Sequence, residues 1–257
     1  MTKNSQILIE KKPFTQDIDR KSFYYFQALK QRLIILNRLF SRSSRLILVI
    51  GEAGSGKTLL LKQFLASDET NWRKCRINAT DPLNESSNKL IRKMQARKAY
   101  INTKNKLPVI MMDDAERLSY EELLFLVKML GVKGFSRSLK QLIFFCEPRM
   151  LKVLSSLDSE LPEDGTIEKL YIPLLSRLET EEYIERRVCS TGYTGSTPFT
   201  QLDINRIFEA SGGIPGEINK YAAGVLEKKL KKQKKLSSFI KKSYKDVVNK
   251  IDFWQDF

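Results

Sequence analysis

The 257-residue sequence contains no histidine. Ser-His-Asp and Cys-His triads and histidine-ligated catalytic zinc sites are therefore excluded, because each needs an imidazole. The three cysteines lie far apart, which excludes a disulfide framework and a paired-cysteine zinc site and favours a reducing cytoplasm. No apolar run approaches the roughly 18 residues of a transmembrane helix, and residues 1–13 lack the apolar stretch of a signal peptide. Chemistry in this chain must therefore use lysine, carboxylates, threonine and backbone amides.

The charge is unbalanced, with 45 Lys and Arg against 30 Asp and Glu, a formal net charge of +15. With 42% hydrophobic and 29% charged residues, the composition is typical of a globular protein, and the length suits one large domain or two small ones. Over half of the excess lies at 227–250, where ten lysines face only two acids. A mildly basic body with a strongly basic tail is therefore expected.

Short apolar runs alternate with segments of helical spacing as far as about residue 175. The runs at 46–50, 108–112 and 142–145 end at Gly, Asp or Cys-Glu-Pro, which is typical of strands buried on both faces, and 75–78 and 169–172 are weaker candidates. Apolar residues three and four apart at 26–39, 59–65 and 123–130 predict helices between them, the last with Ser119 as N-cap and Glu122 three residues later. An α/β domain with a five-stranded parallel sheet and helices on both faces is therefore expected.

One segment between a predicted strand and a predicted helix satisfies the phosphate-loop pattern G-x-x-x-x-G-K-[ST] in full. In such a loop the amides converge on a phosphate, the lysine reaches the terminal phosphates, and the threonine hydroxyl ligates magnesium. The phosphates of a nucleotide, together with Mg²⁺, are the expected ligands of this loop. The predicted nucleotide-binding residues are Gly51, Glu52, Ala53, Gly54, Ser55, Gly56, Lys57, Thr58 and Leu59.

The partner of such a loop is a carboxylate at the end of a neighbouring strand. Asp113 and Asp114 follow the apolar run at 108–112. We expect Asp113 to hold the magnesium ion with Thr58, and Asp114, together with Lys57, to act in catalysis by polarising the attacking water.

Several further segments, together with the phosphate loop, resemble one family. They are LPVIMMDDAERLS at 107–119, PLLS at 173–176 followed by ETEEYIERRV at 179–188, GY at 192–193, PFT at 198–200 and SGGIPGEIN at 211–219. From about Pro13-Phe14 to Leu226 the chain is similar to the AAA+ ATPase module of the ExeA/GspA and DamX-like group, which is related to the TniB and TnsC transposition ATPases. The resemblance implies a P-loop AAA+ core followed by an all-helical lid, with ATP between them.

The sequence departs from that group at positions that matter for hydrolysis. Asp114 stands where the group often has glutamate, and Glu147 occupies a sensor position that is commonly a neutral amide. An acid facing the γ-phosphate would repel it unless protonated or bridged by metal. Gly216 replaces the nucleotide-contacting lid arginine of the ExeA branch, and no arginine lies between Arg149 and Arg177, where a finger for a neighbouring subunit usually occurs.

These departures predict good ATP binding and slow hydrolysis, because missing positive charges weaken stabilisation of the transition state. Whether turnover is significant is left open. Arg117, Arg186 and Arg187 are candidates for charge compensation, although each is expected to be a surface helix residue.

The tail combines apolar residues three or four apart with the lysine cluster. An anionic membrane surface, nucleic-acid phosphates, and docking of the apolar face on the body with solvated lysines are the alternatives. The predicted organisation is an N-terminal arm at 1–19, the core at 20–175, the lid at 176–230 and a basic amphipathic helix at 231–257.

The predicted function is a nucleotide-gated switch in an envelope-associated assembly, with a protein partner or self-association. A DNA-binding adaptor and a non-hydrolysing scaffold are the alternatives. The expected location is the cytoplasm, or the inner face of its membrane.

Overall fold

The computed structural model describes residues 13–14, 27–42, 46–66, 74–78, 109–130, 139, 141–157, 167–193 and 195–253, with main-chain structure alone at 74–78 and 239–253. The chain divides into two compact units. The core unit is Ile18–Leu174, and the helical unit comprises Met1–Asp17 with Leu175–Phe257.

A fully parallel sheet forms the centre of the core unit. Its strands are β1 (Leu46–Ile50), β2 (Lys74–Asn78), β3 (Val109–Asp113), β4 (Gln141–Cys146) and β5 (Ile167–Tyr171). The strand order is β2-β3-β4-β1-β5. Every residue of β1, β3 and β4 is buried, as the continuous apolar runs predict for strands covered on both faces. The predicted P-loop type of α/β fold with a parallel sheet is confirmed.

Four α-helices accompany this sheet in the described part of the core unit. They are α1 (Gln27–Ser41), α2 (Lys57–Ala66), α3 (Tyr120–Lys128) and α4 (Met150–Ser155). Alternate residues of β1, β3 and β4 form one apolar cluster with α3 and α4. Since successive strand residues point to opposite faces, the equally buried Ile47 and Val49 lie on the other face. Helix α2 packs against β3 and β4 and, through Phe64, edge-to-face on Phe40 of α1.

The start of α3 shows how local sequence positions an element. The Ser119 hydroxyl accepts the amide of Glu122, whose carboxylate accepts the amide of Ser119 at 2.9 Å. This capping box satisfies two amides that the helix itself leaves without partners. The predicted N-cap is confirmed.

The helical unit contains α5 (Arg177–Cys189), α6 (Gln201–Ser211) and α7 (Pro215–Phe253). Capping boxes start α5 at Ser176 and α6 at Thr200. Helix α6 ends at Gly212 in the left-handed conformation, and Gly213 follows at φ 75°. The Leu175 amide donates to the Gly213 carbonyl at 2.9 Å, so the chain entering α5 is bound to the turn between α6 and α7.

Helix α7 is one continuous helix of 39 residues, which extends across the predicted boundary at 230/231 and through the lysine-rich segment. One prediction about this unit is wrong. Arg187 was expected at the surface, but its side chain is 7% exposed and its guanidinium lies 5.8 Å from the centre of the Tyr183 ring. Arg186 is exposed and pairs with Glu182. Among the described residues, no helix has the length and apolar character needed to cross a membrane.

The N-terminal arm expected at 1–19 is described only at Pro13 and Phe14. Phe14 is 8% exposed and packs edge-to-face on Phe199, with ring centres 5.8 Å apart. Phe14 therefore belongs to the core of the helical unit.

Candidate functional site

The predicted phosphate loop spans the connection between β1 and α2. Gly54 and Gly56 have φ values of 78° and 103°, which only glycine adopts readily. The Gly51 amide donates to the Cys146 carbonyl at 3.1 Å, and the Ser55 amide to the Glu52 carbonyl at 3.0 Å. These contacts hold the loop against the carboxyl end of the sheet, with the N-terminus of α2 next to it.

Lys57, the first residue of α2, is held inside this loop. Its side chain is 6% exposed, and Nζ donates to the carbonyls of Gly51 at 2.8 Å and Glu52 at 3.0 Å. The loop therefore carries a positive charge together with the helix N-terminus, and both favour an anion.

Thr58 of α2 lies next to Asp113, the last residue of β3. Thr58 Oγ1 donates to Asp113 Oδ1 at 3.3 Å, and Asp113 is 2% exposed at the end of β3. The two side chains are 55 positions apart, so their contact results from the strand order rather than from local sequence. The pair expected to hold magnesium is thus brought together.

Asp114 marks the point where the chain leaves β3. Its backbone is left-handed, at φ 53° and ψ 43°, the only non-glycine residue with positive φ in the described part of the chain. Aspartate tolerates this conformation better than most residues. Asp114 precedes a 3₁₀ turn, Ala115–Arg117, without capping it through its side chain. Backbone strain at a residue expected to act in catalysis fits the tendency of such strain to occur at functional positions.

Glu147 follows β4 at the same edge of the sheet. Its carboxylate pairs with Arg149, with Oε2 3.1 Å from Nε, and its amide donates to Glu116 Oε2 at 3.2 Å. The sequence suggested only protonation or a metal ion as compensation for this acid. The structure shows a third arrangement, in which an arginine two residues away carries the opposite charge.

Cys146 is fully buried between these charged groups. Burial raises the pKa of its thiol from 9.0 to about 12, with smaller increases from the charges of Glu116 and Glu147 and a decrease from Lys57. A thiol with this pKa stays protonated, so Cys146 is a structural residue and not a nucleophile.

Other predicted residues have different placements. Glu52, Ala53 and Gly54 are exposed, as a ligand-binding loop requires, whereas Ser55 and Leu59 have buried side chains. Any nucleotide contact of Leu59 must therefore use its main chain. Gly216 lies in the first turn of α7, in the helical unit, and Arg117 is exposed in the 3₁₀ turn.

Two residues were missed by the sequence analysis, Glu116 and Arg149. Glu116 lies three residues after Asp113, and Arg149 two residues after Glu147, so both were visible as charges close to predicted site residues. Arg149 pairs with the Glu147 carboxylate and Glu116 accepts the Glu147 amide, and a single sequence does not show which groups the fold brings together.

The donor set suits magnesium. Among the described residues, no group of three or more acids or cysteines is placed to hold a metal ion by protein ligands alone. Mg²⁺ does not require such a cage, because it usually keeps several waters and takes one or two protein oxygens together with substrate phosphates. Thr58 Oγ1 and Asp113 Oδ1, both oxygens at the mouth of the phosphate loop, fit that requirement.

The comparison with protein families agrees with this geometry. Residues 47–147 match the family described as "ATPase family associated with various cellular activities (AAA)". The matched segment contains the phosphate loop, Asp113 and Asp114. No curated protein matches the sequence.

Solved structures to which the chain is similar include Cdc6p, ORC2 and RuvB proteins. Cdc6p from Pyrobaculum aerophilum is 14% identical with a TM-score of 0.56, over 84% of this chain and 64% of that chain. ORC2 from Aeropyrum pernix in its ADP form is 18% identical with a TM-score of 0.48, over 76% of this chain and 60% of that chain. A RuvB mutant from Thermotoga maritima is 16% identical with a TM-score of 0.49, over 88% of this chain and 73% of that chain.

The match to Cdc6p shows the fold alone, and the chain spans less than two thirds of the Cdc6p and ORC2 chains. Membership in the ExeA/GspA and DamX-like group stays a prediction.

Proposed function

We propose that this protein is a magnesium-dependent ATP-binding switch that hydrolyses ATP slowly. The observation that carries the proposal is the convergence of Lys57, Thr58 and Asp113 at one edge of the sheet. A buried lysine inside a loop of converging amides binds phosphate, and the paired hydroxyl and carboxylate supply oxygen ligands beside it.

Each residue has a separate task in this proposal. Lys57 exchanges its two carbonyl acceptors for phosphate oxygens. Thr58 and Asp113 would hold the metal ion, which would neutralise charge on the phosphates. Asp114 accepts a hydrogen bond from the attacking water and orients it.

Slow turnover follows from four departures from the pattern of the group that the sequence resembles. Asp114 has a carboxylate one methylene shorter than the usual glutamate and sits on a left-handed backbone. Glu147 places a further acid at the same edge of the sheet, although Arg149 compensates it. Neither position 216 nor the stretch between Arg149 and Arg177 supplies an arginine to a transition state, for which an arginine can contribute roughly 10³–10⁵ in rate.

The helical unit is proposed to act as the lid of the ATP site. Its three helices follow the core unit in the order that the AAA+ resemblance implies. Nucleotide would then set the angle between the two units and with it the affinity for a partner. An envelope-associated assembly remains the predicted setting, on the resemblance alone.

Binding and turnover of Mg-ATP test the proposal. We expect wild-type turnover below about 1 s⁻¹, with hydrolysis abolished in Lys57→Ala and Asp114→Asn. ATP binding should be lost in Lys57→Ala and kept in Asp114→Asn. The matched control is Lys62→Ala, which removes a half-buried lysine from the same helix and should leave both properties unchanged.

Each outcome is informative. Turnover above about 1 s⁻¹ that is lost in Lys57→Ala would refute slow hydrolysis. ATP binding with no turnover above the Lys57→Ala background would identify a scaffold instead. Equal ATP affinity in wild type and Lys57→Ala would refute the site itself.

A further inference from the structure

Helix α7 continues well beyond the last buried side chain described on it. The last buried side chain described on this helix is that of Leu226. From 231 to 238 every side chain is exposed except Gln233, which is half-buried, and Leu236 is 52% exposed. The helical backbone then continues to Phe253. Residues 231–253 are called the distal segment below.

Apolar and basic residues concentrate on different arcs of the distal segment. At 100° per residue, one arc of about 140° contains Leu236, Phe239, Ile240, Tyr244, Val247 and Ile251, together with Lys232, Gln233, Ser243 and Lys250. It is called the apolar arc below. Six of the segment's eight lysines lie within the remaining arc: Lys231, Lys234, Lys235, Lys241, Lys242 and Lys245. With two aspartates, the segment has a net charge of +6.

This pattern restricts what can cover the apolar arc. A second copy of the chain would bring another segment of charge +6 alongside, so self-association along this arc is opposed by repulsion. Nucleic acid would neutralise the lysines but leave the apolar arc in water, because phosphate binding needs no apolar face. An anionic lipid surface complements both arcs, since headgroups attract the lysines while the boundary with the acyl chains takes up the apolar side chains.

We propose that the distal segment of α7 lies on the surface of an anionic membrane, with its apolar arc at the boundary between headgroups and acyl chains. The segment is not apolar enough to cross a bilayer, because its eight lysines are costly to bury in the hydrocarbon core. Its composition is that of an interfacial helix, with low overall hydrophobicity, a lysine-rich face and aromatic residues on the other face. The proposal is independent of ATP binding in the core unit.

Co-sedimentation of the full chain with lipid vesicles tests this assignment. Vesicles of phosphatidylcholine alone are compared with vesicles containing roughly one third phosphatidylglycerol, at about 0.1 M salt. Binding is expected to the anionic vesicles and to be at least about tenfold weaker to the neutral ones.

Two double variants with the same change in charge separate the arcs. Ile240→Asp with Val247→Asp alters the centre of the apolar arc, whereas Ser238→Asp with Asn249→Asp alters the lysine-rich arc. The first pair should lower vesicle affinity by about tenfold or more, and the second by no more than about threefold. Circular dichroism verifies that both variants keep the helix.

Three results would overturn the proposal. The first is no binding to anionic vesicles. The second is an equal loss of affinity in the two double variants, which would show that charge alone drives binding. The third is tighter binding to a duplex DNA oligonucleotide than to the vesicles under the same conditions, which would assign the segment to nucleic acid. None of these results bears on ATP binding, which the Lys57→Ala comparison tests separately.

Discussion

Replacing Gly213 with alanine is expected to destabilise the helical unit by about 2–5 kcal/mol. Gly213 has φ 75°, and a Cβ built there would lie 2.1 Å from the Leu175 carbonyl oxygen. The left-handed conformation costs an L-residue about 1–2 kcal/mol. The clash adds about 1–3 kcal/mol, because the obstructing atom belongs to the backbone. That backbone is itself fixed by the hydrogen bond from the Leu175 amide to the Gly213 carbonyl.

Two other glycines provide matched controls. Gly212 is also left-handed, at φ 57°, but a Cβ there meets nothing within 4 Å, so Gly212→Ala should carry only the conformational cost. Gly224 lies within α7 with open space around it, so Gly224→Ala should stabilise by up to about 1 kcal/mol. Urea denaturation of the three variants gives the free energies of unfolding. If Gly213→Ala and Gly212→Ala agree within about 0.5 kcal/mol, the close contact with Leu175 is not a rigid feature of the fold.

Three further predictions concern charge. Glu147→Gln should raise Mg-ATP turnover by about 2- to 10-fold, because it removes an acid at the end of β4. Phosphate release at saturating ATP measures the turnover, and an unchanged rate would show that the acid does not affect the reaction. Cys146 should resist alkylation at pH 8, since burial raises its pKa to about 12, whereas the exposed Cys189 should react. Peptide mapping distinguishes the two, and labelling of folded Cys146 would contradict its placement. Burial acts to raise the pKa of Asp203, but hydrogen bonds from Lys229 and Thr200 hold it below 3.8. The stabilising effect of Asp203 is therefore present above that pH and lost as the pH falls through the folded-state pKa, so the stability difference from Asp203→Asn should shrink between pH 5 and pH 2.

The phosphate loop and the P-loop type of fold could be predicted because local signals agree there. A buried strand, a glycine-rich turn and a helix occur in immediate succession at 46–66, and each can be recognised without the others. Asp113 could be predicted for a related reason. A carboxylate directly after a buried strand reaches the sheet edge where all parallel strands end, whichever strand lies next to it.

Contacts that depend on tertiary partners could not be predicted. Arg187 is spaced like a surface residue on an amphipathic helix, and only packing of the unit buries it. Phe14 lies in a charged N-terminal stretch, yet it packs on Phe199, 185 residues later. The pairing of Glu147 with Arg149 required the loop geometry after β4.

The continuity of α7 across residue 231 could not be predicted for another reason. A change from mixed composition to lysine-rich composition near residue 231 indicated a new element, but lysine is a good helix former and no glycine or proline interrupts the helix there. Composition changed along the chain while the backbone conformation did not.

The continuity of α7 also has a mechanical consequence. A helix of 39 residues is about 58 Å long, and it carries Gly216 in its first turn and the lysine-rich segment at its far end. A stiff rod of this length acts as a lever, so a rotation of 10° about Pro215 moves the other end by about 10 Å. Small angular changes at the start of the rod thus become displacements of molecular size at its tip, without any change in its internal hydrogen bonds.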